Sequence, residues 1–206
     1  MANICVTEYI FMGSYESLTD FRNTIVNAMN NRTNDTFPRP FSILDTVKSF
    51  GISTEGLAYR GEIVSIDEVR LDIFRGEEIP ILYIDTTTAW VPFPEAWDLI
   101  INERYPDMSY VMCAEEPGFQ LYVNTDTSHD FFDVAYRVTI TMAPKYYTAS
   151  FNIGVDEPLL NSLNCIFGWK CKCIKQFNKK LKRKKARMRK LRKPFYFYLN
   201  EYVDTF

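Results

Sequence analysis

Apolar positions recur along this chain with two periods, and the switches between them mark the elements. Residues 3–13 (NICVTEYIFMG) mix β-branched and aromatic side chains and stop at Gly13, which reads as a strand and a turn. Leu18, Phe21, Ile25 and Met29 then fall three or four apart. That spacing predicts an amphipathic helix over 14–31, with Ser14, Glu16 and Ser17 as capping candidates. Asn, Asp and two prolines break the pattern at 31–40. Residues 41–50 (FSILDTVKSF) fit a short helix ending at Gly51. Tyr59, Ile63, Val69, Leu71 and Ile73 mark strands within 58–74, followed by a turn at 75–78 (RGEE) and the strongest strand of the chain at 79–90. A helix over 92–105 carries Trp97, Ile100, Ile101 and Tyr105 on one side and ends at Pro106. Strands at 108–114 and 119–123 flank the turn EEPG. Val134, Tyr136, Val138, Ile140 and Met142 alternate onto one face of a strand, with 146–154 as its partner and 156–164 as a connecting segment.

Consecutive strands form hairpins, so this order predicts an α+β protein with one mostly antiparallel sheet and helices on one face. Beyond it the pattern changes. Ile174, Leu181, Met188 and Phe195 lie seven apart, and Phe177, Leu191 and Tyr198 add companion positions, with Lys184 interrupting. This is a narrow apolar seam on a helix otherwise covered by cations. Pro194 stops the helix, and FYFYLNEYVDTF reads as a final strand or an aromatic anchor. Two regions are therefore expected: an acidic α+β domain over 1–160, and a basic amphipathic C-terminal helix with an aromatic end over 161–206.

Charge sharpens that division. The chain has a formal net charge of −2, yet residues 170–193 hold 14 of its 24 Lys and Arg and no acid. Residues 1–169 hold 10 basic against 24 acidic residues, a balance of −14, and residues 170–206 hold 14 against 2, a balance of +12. Such asymmetry points to a nucleic-acid, membrane or acidic-protein contact at the basic end.

Several local features resemble one known family. They are the opening strand ending in Gly13, TTAWVP at 87–92, YPD at 105–107 and EEPG at 115–118. Over roughly residues 1–142 they resemble the YubB-like domains of phages, plasmids and other mobile elements. The resemblance implies a ferredoxin-like body. It implies no catalytic residue, because the family has no agreed biochemical activity, and the matching positions, mostly turn and core residues, support the fold more than a function. The loop at 31–57 and the basic segment depart from the pattern.

Signatures of chemistry are sparse. His129 is the one histidine and sits between Ser128 and Asp130, but adjacent loop residues cannot face each other as a triad requires. The carboxylate pairs Asp67–Glu68, Glu77–Glu78 and Glu115–Glu116 sit at turns without metal-loop spacing. Walker A and dinucleotide glycine patterns are absent. Cys165, Cys171 and Cys173 have C-x5-C-x-C spacing, which is poor for zinc. No secretory leader or membrane-spanning run is recognised, so a cytoplasmic protein with free thiols is expected, and the family resemblance implies that the cell is a bacterial host.

The reading is a non-enzymatic binding protein with no cofactor and no metal. Its basic helix engages RNA, DNA or a host nucleoprotein complex, and the mobile-element resemblance implies a setting such as inhibition of a CRISPR effector. Phosphate contact is assigned to Lys182, Arg183, Lys185, Arg187, Arg189, Lys190, Arg192 and Lys193. The alternative is an acidic nucleic-acid mimic or a self-associating protein whose basic helix packs on acidic protein surface. A membrane ranks last, because the apolar stripe is thin.

Overall fold

The opening strand forms as β1 (Ile4–Met12), in a computed structural model that describes residues 3–31, 40–142 and 147–204. It is followed by α1 (Tyr15–Asn30), α2 (Ile43–Ser49), β2 (Gly61–Ile66), β3 (Arg70–Phe74) and β4 (Glu77–Ala89). Then come α3 (Pro94–Arg104), β5 (Ser109–Glu116) and β6 (Leu121–Asn124). The six strands form one antiparallel sheet in the order β2-β4-β1-β5-β6, with β3 paired to β4. β1 is antiparallel to both β4 and β5. The crossover through α1 and α2 therefore passes over β4, and the crossover through α3 passes over β1. The expected break at 31–40 lies almost wholly outside the described residues.

One face of β1 supplies Cys5, Thr7, Tyr9 and Phe11 to the core, all essentially inaccessible to water. Leu18, Phe21 and Ile25 of α1, Ile43 and Val47 of α2, and Trp97 and Ile100 of α3 cover them. Trp97 meets Tyr9 and Phe11 edge-on, at centroid distances of 5.6 and 5.3 Å, a favoured aromatic geometry. Ser14 caps α1, its Oγ accepting from the Ser17 amide. Asp107 accepts from the Ser14 amide and the Ser17 hydroxyl. The Ser17 bond leads in holding its carboxyl below the usual range. The YPD step is thus a brace for α1.

A second sheet, of three strands, was not expected. β7 (Tyr136–Met142) pairs with β8 (Tyr147–Ile153) and, on its other side, with β9 (Phe195–Glu201). Between β8 and β9 lie α4 (Leu159–Phe167) and α5 (Ile174–Lys190). The chain divides into two units: Met1–Phe131 with Val203–Phe206, and Phe132–Tyr202. The boundary expected after 160 falls inside the second unit, because β9 pairs with β7. Val203 returns to the first unit through a parallel bridge to Val123.

Three local expectations change. Residues 156–164 do not merely connect: α4 starts after Pro158 and ends at Gly168, whose φ of 63° closes the helix. Leu159, Leu160, Leu163 and Ile166 carried the helical spacing that identifies it. Leu71 and Ile73 alternate as strand residues but are 54% and 68% exposed, so their face is not core. Within RGEE only Arg75 and Gly76 turn, with φ of 51° and 81°. That is a two-residue hairpin loop of the type whose twist suits antiparallel strands.

Gly61 sits where backbones approach closely. A Cβ there would lie 2.7 Å from the Thr87 carbonyl oxygen and 2.6 Å from Thr88 Cγ2. Gly61→Ala is expected to destabilise the protein by roughly 1–3 kcal/mol, measured as a lowered denaturant midpoint.

Candidate nucleic-acid interface

α5 carries ten Lys or Arg among its 17 residues and no acid. Such a helix needs an anchor, because like charges three and four apart destabilise it. The anchor is one turn-spaced row. Phe177 and Leu181 are buried in the second core with Val138, Ile140, Ile153, Leu163 and Phe195, and Met188 packs against that core. Ile174 and Leu191 belong to the expected seam by spacing, but they are 41% and 53% exposed. Phe195 and Tyr198 are not on the helix at all; they belong to β9.

Lys184 sits on the buried row, where the sequence pattern showed an interruption. Its ammonium lies 5.0 Å from the ring centroids of both Phe167 and Phe195 and 5.8 Å from that of Trp169. Partial burial lowers its pKa, while the ring faces offer the cation an electrostatic substitute for water. Lys184 is therefore a packing residue among the cations.

The helix ends in a Schellman motif. The Lys193 amide donates to the Met188 carbonyl and the Arg192 amide to the Arg189 carbonyl, each at 3.0 Å. Arg192 occupies the left-handed position with φ of 52°, where glycine is usual. Arg187, Arg189 and Lys190 in the last turn suit the negative end of the helix dipole.

All eight cations assigned from the sequence are exposed, but they do not form one face. At 100° per residue from the buried row, Lys182, Arg183 and Lys190 point outward, together with Lys175 and Lys179. Lys185 and Arg189 lie on the flank toward β9 and, with Lys193, line a groove there. Arg183 and Arg187 line the opposite flank beside Trp169, again with Lys193. Arg192 lies in the cap. No ion pair forms within this unit between α5 and its described carboxylates, and Asp133 and Glu157 instead accept from the Val155 amide and the Ser162 hydroxyl. Trp169, Lys179 and Tyr196 were not singled out from sequence, and Tyr198 was assigned to the apolar seam of the helix rather than to an exposed strand position. The FYFY alternation, with Phe195 and Phe197 toward the core and both tyrosines exposed, was the available signal.

The other candidates have structural roles. Asp126, 1% exposed, accepts from the amides of Ser128, His129 and Phe131 and from the Ser128 hydroxyl. The Ser128 hydroxyl thus donates to a loop-bracing carboxylate rather than to His129. Arg22 bonds the Asp67 carbonyl and pairs with Glu68. Glu116 is buried and accepts from the amides of Gly118 and Phe119, while Glu115 lies on the sheet face opposite the helices. Cys171 is buried, its backbone clamped at both ends by the Asn164 side chain at 2.9 Å, and Cys165 and Cys173 are exposed. Among the described residues no three His, Cys, Asp or Glu side chains group as metal ligands. No described helix is long and apolar enough to cross a membrane.

The first unit has its own charged feature. Asp85 stands directly opposite Glu8, and Glu115 lies one step diagonally away, all on one sheet face. Glu8 is open to solvent, yet desolvation by the sheet raises its pKa, and Asp85 and Glu115 raise it further.

No family model matches the chain, and no curated protein or solved structure matches it either.

Two outcomes follow from this geometry. A raised carboxyl pKa makes ionised Glu8 a cost to the folded state above that pKa, and the cost vanishes as protonation completes below about pH 4. Thermal melts of Glu8→Gln should show a higher Tm than the parent at pH 7, with the difference fading in acid. Arg192→Gly should raise stability by up to about 1 kcal/mol, since glycine takes the left-handed conformation without the Cβ penalty. Denaturant unfolding measures it.

Proposed function

We propose that this is a non-enzymatic binding protein that engages nucleic acid, or a nucleoprotein, through the cations of α5. The carrying observation is a packed, capped helix whose exposed surface bears cations and no carboxylate. Anchoring on one side fixes the helix before any partner arrives, so phosphate contact does not have to order it. Lys182, Arg183, Lys185, Arg187, Arg189, Lys190, Arg192 and Lys193 make that contact. The strand order β2-β4-β1-β5, with two crossovers each passing over one strand, supports a ferredoxin-like reading of the first unit. A phage or mobile-element setting, with inhibition of a host defence complex such as a CRISPR effector, rests on the sequence resemblance alone.

One further observation favours a second reading. The first unit holds 8 basic and 22 acidic residues, a balance of −14, and the second holds 16 and 4, a balance of +12. Opposite charges of this size suit self-association between copies, or an acidic first unit that imitates a phosphate backbone. Sedimentation at low and high salt separates this from nucleic-acid binding.

The test replaces Lys182, Arg183, Arg187 and Arg189 together by Gln. Fluorescence anisotropy with a labelled RNA should show binding abolished at physiological salt and the salt slope reduced by about 3. Lys184→Met, which changes a packing cation, should leave the slope unaltered. Equal binding by the fourfold variant, or binding by the parent that ignores salt, removes the proposal.

A further inference from the structure

Among the described residues β9 is an edge strand, paired to β7 on one side only. Its residues alternate in a specific way. Phe195 and Phe197 turn to the second core, while Tyr196 and Tyr198 face the other way and are 50% and 47% exposed. Two neighbouring aromatic rings in water on one short strand forgo their burial. Strand alternation sends them to the face opposite the second core, where no described residue buries them.

Their surroundings are polar and carry no acid. Register places Tyr198 beside Thr139 and Tyr196 beside Thr141 on β7. Further across, Thr139 and Thr141 meet Ser150 and Thr148 of β8 through their hydroxyls. At the far end of the same face Arg137 donates to Asn152. The face therefore offers rings, hydroxyls, an amide and a guanidinium.

Around the outer edge of β9 runs a groove of about 440 Å³. Lys185 and Arg189 of α5 and Lys193 line one side, and the 194–198 segment, including both tyrosines, lines the other. Three cations thus stand along a strand edge that presents two exposed rings. Residues two apart on a strand are about 6.7 Å apart, a spacing that suits consecutive unstacked bases. In a duplex the base faces are already stacked and out of reach, whereas single strands expose them.

We infer that the β9 edge is a single-strand-binding groove: Lys185, Arg189 and Lys193 hold the sugar–phosphate backbone, and Tyr196 and Tyr198 stack with bases. This rests on the nucleic-acid reading of α5 and narrows it from nucleic acid in general to single strands. Stacking on tyrosine tolerates any base, so the groove selects strandedness rather than sequence. An edge strand can also accept a strand from a second copy. The cations along this edge, and a described lining that holds no carboxylate, favour a polyanion over a neutral polypeptide.

The test uses the full chain and three labelled probes of about 12 nucleotides: single-stranded RNA, single-stranded DNA and a blunt RNA duplex. The parent should bind at least one of the single strands roughly tenfold or more tightly than the duplex. Tyr196→Ala with Tyr198→Ala should remove that preference while leaving duplex affinity unchanged. Tyr196→Phe with Tyr198→Phe, which keeps the rings, should retain it and serves as the folding control. RNA against DNA identifies which single strand the groove prefers. Equal affinity for duplex and single strand in the parent overturns the inference while the α5 proposal stands, provided the fourfold cation variant still loses binding. Unchanged single-strand affinity in the alanine pair overturns it as well. So does a dimer that forms without nucleic acid and is dissolved by the alanine pair, because the edge is then a protein interface.

Discussion

The pairing of β9 with β7 is the constraint on which the second unit depends. Seven residue pairs, from Tyr136–Glu201 to Met142–Phe195, join strands separated by β8 and two helices. The ladder fixes the chain immediately beyond α5, and burial of Phe177 and Leu181 fixes α5 itself. A helix with ten cations and no acid is opposed by its own charge. An isolated helix of this length is also marginal in water. Tertiary attachment resolves both problems and leaves the charge exposed.

Attachment also explains the unequal fates of the cations. Lys184 falls on the buried row and is accommodated by the Phe167, Trp169 and Phe195 rings. Its neighbours at 182, 183 and 185 fall elsewhere on the helix and remain in water. Arg192 is placed by the helix cap, and Lys185, Arg189 and Lys193 by the nearness of β9. A run that looks uniform in sequence is thereby sorted into packing, capping, outward-facing and groove-lining positions. In the first unit Asp107, Asp126 and Glu116 accept from amides and hydroxyls, Asp85 accepts from the Ser65 hydroxyl, and Glu8, Asp85 and Glu115 share one sheet face.

Much of the local structure was legible. The periods of two and 3.6 located β1, α1, α2, β4, α3, β7 and α5, and Ser14 and Gly51 marked ends of α1 and α2, whereas α3 begins at Pro94, two residues after the expected start at Pro92. α4 was not legible as a helix, because it is nine residues long and has no side-chain cap at Pro158, so only Leu159, Leu160, Leu163 and Ile166 carry its spacing. The candidate cations were legible as a set, since charge needs no fold to be counted. Their separation into different surfaces was not, and neither were Trp169, Tyr196 and Tyr198 as their neighbours.

What the sequence determined by itself was periodic and additive: which segments are helices or strands, which ends carry caps, and that the positive charge is concentrated after residue 169. The tertiary structure decided which strands pair and what faces water. β7 has two candidate neighbours of similar alternation, and nothing local distinguishes pairing with β8 from pairing with β9 as well. That choice depends on closing a loop through α4 and α5 and on burying Phe177 and Phe197 against the same sheet face. These contacts join residues far apart in the chain, and their free energy exists only once the fold brings them together.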